Sequence, residues 1–141
     1  MIDFLNETDN VEAEGVLGEL SLIQKSVVKK ESELIFIDDI MMRKINKKNR
    51  NIDKPTDVLS FPIDMPGSQV VGTIVISLDT AQRSADEFGH TLKDEIKLLF
   101  IHGLLHLLGF DHETDDGEMR EKEEELIKKF DLPTSLIVRS Q

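Results

Sequence analysis

Apolar residues recur along this chain with two periods, and the switches between them predict alternating strands and helices. Met1-Ile2-Asp3-Phe4-Leu5 alternates apolar and polar, which predicts an edge strand. Over residues 11–30, Val16, Leu17, Leu20, Ile23, Val27 and Val28 fall on one face of an amphipathic helix. Glu33 to Ile37 reads as a strand, and Asp38 and Asp39 can cap a helix running to about Lys48. Asn51 to Pro55 is a loop, and Asp57 to Phe61 is a short strand stopped by Pro62. Met65 to Ser68 is a turn, followed by a β-branched strand from Val70 to Ser77 that should be central. Residues 78–89 predict an amphipathic helix.

Thr91 with Asp94 resembles a capping box for a helix from Leu92 to Leu108. That helix is apolar on most sides, which predicts burial at the centre of the fold. Residues 116–130 predict a charged, mostly solvated helix, and the tail after Pro133 is expected to be variable. The whole reads as one α+β domain over residues 1–141, α/β-like in its alternation. A small mixed sheet of about four strands is flanked by helices around the buried central one.

That central helix carries the chemistry. His102-Gly103-Leu104-Leu105-His106-Leu107-Leu108-Gly109-Phe110-Asp111-His112 holds three of the four histidines. His102 and His106 lie one helical turn apart on one face. A continued helix would carry His112 about 15 Å along the axis from His102, whereas ligands of one zinc each lie about 2 Å from the ion. The chain must therefore reverse, and Gly109 accepts the left-handed conformation that ends helices. Histidines on an apolar helix can be core residues with satisfied hydrogen bonds. Three at this spacing, around a glycine stop, favour a metal. Three imidazoles leave a fourth position open, as catalytic zinc sites do.

The same spacing occurs in the zinc-protease signature H-E-x-x-H-x-x-G-x-x-H, but Gly103 stands where that signature places its general base. The fourth histidine, His90, follows Gly89 in a polar turn and reads as a surface residue. Asp111 to Gly117 fails as a calcium loop, because Asp116 replaces the required glycine and Lys122 the closing glutamate.

Composition narrows the class. There is no cysteine, so neither disulfides nor thiolate metal ligands arise. No apolar run reaches the roughly 20 residues of a membrane span, and no secretory signal pattern opens the chain. These point to a cytoplasmic protein without membrane partners. The net charge of −11 opposes generic nucleic-acid binding. Yet Arg43, Lys44, Lys47, Lys48, Arg50 and Lys54 against Asp53 give residues 41–55 a net +5. Such a patch suits a specific RNA contact, though a solvated helix face would look the same.

The His102–His112 block resembles the H-G-x-L-H-L-x-G-(Y/F)-D-H signature of the YbeY family of bacterial ribosomal RNA maturation factors. Lys54-Pro55-Thr56-Asp57-Val58-Leu59-Ser60-Phe61-Pro62 resembles that family's second signature, and Ile45-Asn46 with Arg50 matches the segment just before it. The resemblance covers most of the chain. It departs at Asn49, where the family usually has an aromatic residue, and at Gly72-Thr73, where it often has Gly-Asp. It implies a metal-dependent, single-strand-specific endoribonuclease in 16S rRNA 3′-end maturation and ribosome quality control. It also implies one Zn2+ on His102, His106 and His112, a functional arginine at Arg50, and the small ribosomal subunit with its associated proteins as partners.

In that reading Arg50 would hold the scissile phosphate, with the neighbouring cations guiding the strand. Asp111 would either orient a metal-bound histidine or simply shape the turn. No carboxylate stands out as a general base. The rival readings are a zinc-stabilised assembly factor without nuclease activity, a zinc metalloprotease-like hydrolase, and an RNA-binding protein without metal.

Overall fold

The β-branched run Val70–Ser77 (β4) lies between two neighbours in a four-stranded sheet and is buried along most of its length. The other strands are Ile2–Asn6 (β1), Glu31–Ile37 (β2) and Val58–Pro62 (β3), in the order β1-β2-β4-β3. β1 and β2 run parallel, as do β2 and β4, while β3 pairs antiparallel with β4. The sheet is therefore mixed, with β1 at one edge and β4 internal, as the alternation and the apolar run predict. Pro62 ends β3 as its last paired residue, opposite Gly72, which an edge strand tolerates. The computed structural model describes residues 1–133, and the tail after Pro133 lies outside them.

The helices are Leu17–Val27 (α1), Asp39–Arg50 (α2), Leu78–Phe88 (α3), Leu92–Leu107 (α4) and Glu118–Lys129 (α5). Three carry the side-chain caps that polar residues before a helix favour. Asp38 accepts from the Met41 N–H at 2.9 Å, Ser77 from Thr80, and Thr91 from Asp94 at 3.1 Å. The helix expected over residues 11–30 is shorter and in two pieces: a 3-10 segment, Glu12–Val16, precedes α1. Gly15 and Gly18 weaken the α-helical preference there.

Both faces of the sheet are covered, which is why β4 reads as a nearly unbroken apolar run. Leu34, Phe36, Ile74 and Ile76 join the main core with Ile96, Leu99, Phe100 and Leu104 of α4 and Leu20 and Ile23 of α1. Ile37, Leu59 and Val75 pack with Met42 of α2 in a smaller cluster.

Two close approaches fix α4 on the sheet. A Cβ at Gly103 would lie 3.0 Å from Ile74 Cγ2 and 3.1 Å from Ser60 Oγ, and the Ser60 hydroxyl donates to the Gly103 carbonyl at 3.1 Å. A Cβ at Gly72 would lie 2.4 Å from the Phe61 carbonyl oxygen and 2.7 Å from Leu107 Cδ2, at a backbone φ of +148°.

His90 departs from its surface reading. Its side chain is 9 % exposed, and Nε2 lies 2.7 Å from Oε1 of the fully buried Glu95. The polar turn that looked solvated folds back over the first turns of α4.

Gly72→Ala combines overpacking with a conformation L-residues avoid, and we expect it to lower unfolding free energy by about 3 kcal/mol or more. Gly18→Ala, where nothing lies within 4 Å of the added methyl, should raise it by about 0.5–1 kcal/mol through helix propensity alone. Urea titrations of both variants check the pair.

Candidate metal centre

The three histidines come together as the spacing requires. His102 and His106 project from the last turns of α4, and the helix then stops by a Schellman motif. The Phe110 N–H reaches the Leu105 carbonyl at 3.0 Å and the Gly109 N–H reaches His106 at 3.1 Å, with Gly109 at φ +96°. That reversal returns His112 to the pair. Ring centroids lie 4.7 Å apart for His102 and His106, 5.7 Å for His102 and His112, and 5.9 Å for His106 and His112. One nitrogen from each ring can be chosen so that all three lie within 4.8 Å of one another.

The donor set fits a metal ion. Nε2 of His102 and Nε2 of His106 are 3.2 Å apart. Two ligands of a tetrahedral zinc at about 2.0–2.1 Å would stand about 3.4 Å apart. Nδ1 of His112 is buried with no hydrogen-bond partner, which is costly unless that nitrogen gives its lone pair to an ion. His106 is held below the ordinary imidazole range, chiefly by burial, with His102 and His112 adding to it. A neutral imidazole is the form that ligates a metal. Imidazoles alone do not select among zinc, copper, nickel and iron.

The cluster forms one wall of a cavity of about 670 Å³, whose lining also includes Arg50, Asp57, Ser60, Asp111 and Glu113. Arg50 thus meets the histidines although it precedes them by some fifty residues. The C-terminus of α2 brings it there. Asn51 closes the helix in the left-handed conformation, φ +56°, which asparagine tolerates better than most residues. Buried Asn46 donates to the Lys54 carbonyl at 2.9 Å and ties the following loop to the helix. Of the six cations in the basic segment, Arg50 alone is among the residues lining this cavity. Arg43 is turned to Asp53, at 2.8 Å, with Lys47 at 4.0 Å from the same carboxylate. The picture of neighbouring cations gathered around the arginine therefore narrows to Arg50 itself at the cavity and the other five along α2 and its loop.

Asp111 has the turn role. Its carboxylate accepts from the Glu113 N–H at 3.1 Å, and its carbonyl from Thr114 and Asp115. The carboxylate beside a histidine is instead Glu123 of α5, with Oε2 3.3 Å from His102 Nδ1 and a side chain 1 % exposed. Sequence reasoning placed Glu123 on a solvated helix. The signal was its spacing with Met119 and Leu126, which are buried on the same face.

Asp57 was also missed as a cavity residue. It accepts from the Val58 N–H at 2.8 Å at the start of β3. Burial pushes its carboxyl above the ordinary value, against that hydrogen bond, and the Glu95 carboxylate pushes the same way. Nothing local in the sequence distinguishes it from any other residue before a strand.

Gly103 explains the missing protease glutamate. A Cβ there would press on Ile74 Cγ2 at 3.0 Å and Ser60 Oγ at 3.1 Å, so any side chain would force α4 and the sheet to give way.

Comparison with known proteins agrees with this arrangement. A family model described as Endoribonuclease YbeY matches residues 5–131. Proteins named Endoribonuclease YbeY from Nautilia profundicola and Sulfurimonas denitrificans are 55 % and 56 % identical, each aligned over all of this chain and 99 % of its own length. The solution structure of TM1509 from Thermotoga maritima superposes with a TM-score of 0.66 at 30 % identity, covering 92 % of this chain and 89 % of that one. By full-length identity, a family match across most of its residues and a shared fold, this chain belongs to the YbeY family.

Proposed function

We propose that this protein is a metal-dependent endoribonuclease that cleaves single-stranded RNA at the His102–His106–His112 site. Ribosomal RNA, with the 16S 3′ end on the small subunit, is its expected substrate, and the cytoplasm its place of action. The observation that carries the reading is the meeting of three metal-competent imidazoles and one guanidinium in a single cavity. Membership of a family whose members are named endoribonucleases supplies the reaction class.

His102, His106 and His112 would hold the metal, with zinc the ion that best suits a three-imidazole site with an open position. The ion supplies Lewis acidity toward a phosphodiester oxygen. Arg50 binds the phosphate in the same cavity. Its planar fork pairs with two phosphoryl oxygens and stabilises the charge that gathers on them as the bond to the leaving oxygen lengthens. The peptide groups of α2 fix where the guanidinium starts, so the phosphate is oriented as well as attracted. Asp57 carries a carboxyl in the cavity wall whose proton affinity burial raises, which suits it to hold or accept a proton near the reacting atoms. Lys44, Lys47, Lys48 and Lys54 lie outside the cavity and give the approaching strand a positive track on an acidic protein.

A protease-like reading needs a general base one residue after His102, where this chain has Gly103 and a Cβ would already crowd Ile74 and Ser60.

His106→Ala should leave the purified protein without stoichiometric zinc by elemental analysis. Retention of one equivalent would remove these histidines from the metal assignment. Stripping the metal from the wild-type chain should lower its melting temperature and abolish cleavage of a labelled single-stranded RNA, both restored on adding zinc. A lower melting temperature with no cleavage in either state would favour a metal-stabilised assembly factor. Arg50→Ala, purified in parallel, should retain zinc and lose roughly 10²–10³-fold in cleavage rate. Equal cleavage by both proteins would place the reaction elsewhere, a contaminating nuclease included.

A further inference from the structure

We infer that Glu123 is a positioning residue: from α5, its carboxylate accepts the Nδ1 proton of His102 and so keeps the Nε2 lone pair of that ring aimed at the metal position. The inference rests on the metal reading of the three-histidine cluster and adds a residue from another helix to it.

The geometry assigns opposite tasks to the two nitrogens of His102. Nδ1 is 3.3 Å from Glu123 Oε2, and Nε2 is 3.2 Å from His106 Nε2. The carboxylate is not a fourth ligand, since the group of mutually close ligand atoms contains the three histidines alone among the described residues. It stands behind the ring rather than beside the metal.

Burial makes the placement costly and hence informative. α5 is charged at most positions, and Glu123 sits on its inner stripe between Met119 and Leu126, at 1 % exposure. An apolar residue there would complete the stripe at no electrostatic cost. The carboxylate's gain is a charge-assisted hydrogen bond to an imidazole.

That bond decides a tautomer. A neutral imidazole carries one proton, on Nδ1 or on Nε2. With no acceptor at Nδ1, His102 could carry its proton on Nε2 and donate to His106 Nε2, 3.2 Å away. Both nitrogens would then be occupied by each other and closed to a metal. The Glu123 carboxylate draws the proton to the far side of the ring and leaves the Nε2 of His102 open. Carboxylates behind metal-bound histidines act in this way, fixing the tautomer and raising ligand basicity. Asp111, closer in sequence to two of the histidines, is engaged in its own turn.

The test uses the full chain with zinc as the probe, in wild type, Glu123→Met and Glu123→Gln. Zinc affinity is read by competition with a chromophoric chelator, stability by melting of the metal-free proteins, and the tautomer by long-range nitrogen-15 NMR of the metal-free proteins at a pH where His102 is neutral. Glu123→Met should lose on the order of 10- to 100-fold in zinc affinity while its metal-free melting temperature stays level or rises. Glu123→Gln keeps an acceptor oxygen and should lose less.

His102 should carry its proton on Nδ1 in wild type and move it to Nε2 in Glu123→Met. Wild-type zinc affinity in Glu123→Met would overturn the inference, as would an Nε2-protonated His102 in the wild-type protein, a result that needs no variant to fold. Zinc failing to bind a wild-type chain whose His102 is Nδ1-protonated would sink the metal reading and leave the carboxylate's effect on the tautomer standing.

Discussion

Gly103 has no side chain, and the geometry of the site depends on that. Because nothing projects from it toward the sheet, α4 settles against Ile74 and Ser60 with the Ser60 hydroxyl on its backbone carbonyl. The contact sets the depth of the helix at the turn that carries His102 and His106. Gly72 makes the second contact, where Leu107 of α4 crosses β4 beside the β3 carbonyl of Phe61. Interiors are packed too closely to deform continuously, so these two points act as fixed stops. A helix held farther out would lift the histidines away from Arg50, which enters from the end of α2, and from Asp57, which enters from the loop before β3. The glycine that denies this chain a protease's base is also the one that lets a nuclease-type cavity form against the sheet.

Around those stops the helix buries polar groups that an apolar core would normally reject. Glu95 is fully buried and lies against His90, while Glu123 is nearly so and lies against His102. Each carboxylate faces an imidazole, and such pairing is what makes a buried charge tolerable. The His90–Glu95 pair sits near the start of α4, where a negative charge also complements the helix dipole. The His102–Glu123 pair sits near its end. One histidine–glutamate pair thus belongs to the scaffold and the other to the site, each with one member on α4.

That duplication marks where sequence reasoning succeeds and where it stops. The α4 histidines were legible because their partners are local: one turn of helix, a glycine stop and a return within eleven residues. The strands and capped helices were legible for the same reason, since Asp38, Ser77 and Thr91 bond within three residues of themselves. His90 was misread because the polar turn around it gives no sign that Glu95 turns inward. Glu123 was misread because α5 is charged on nearly every side, and one carboxylate on an apolar stripe is a faint mark. Arg50 and the histidines could be nominated separately but not joined, since what joins them is the crossing of α2, β3 and α4.

Charge then separates attraction from reaction. Within the cavity lining Arg50 faces Asp57, Asp111 and Glu113. One guanidinium does not offset three carboxyls, although burial raises the proton affinity of Asp57. A bound divalent cation adds two positive charges where the phosphate must lie, and in such sites the ion is the largest local charge. The long-range pull comes from another surface, the exposed lysines along α2, whose effect reaches about 8–10 Å at physiological salt. On the proposed function an RNA strand would therefore be drawn by α2 whether or not the site is loaded. In that proposal its phosphate would find a favourable seat beside Arg50 only when the histidines hold their ion. On a chain of net charge −11, that arrangement would tie productive binding to the same cation that the proposed chemistry needs.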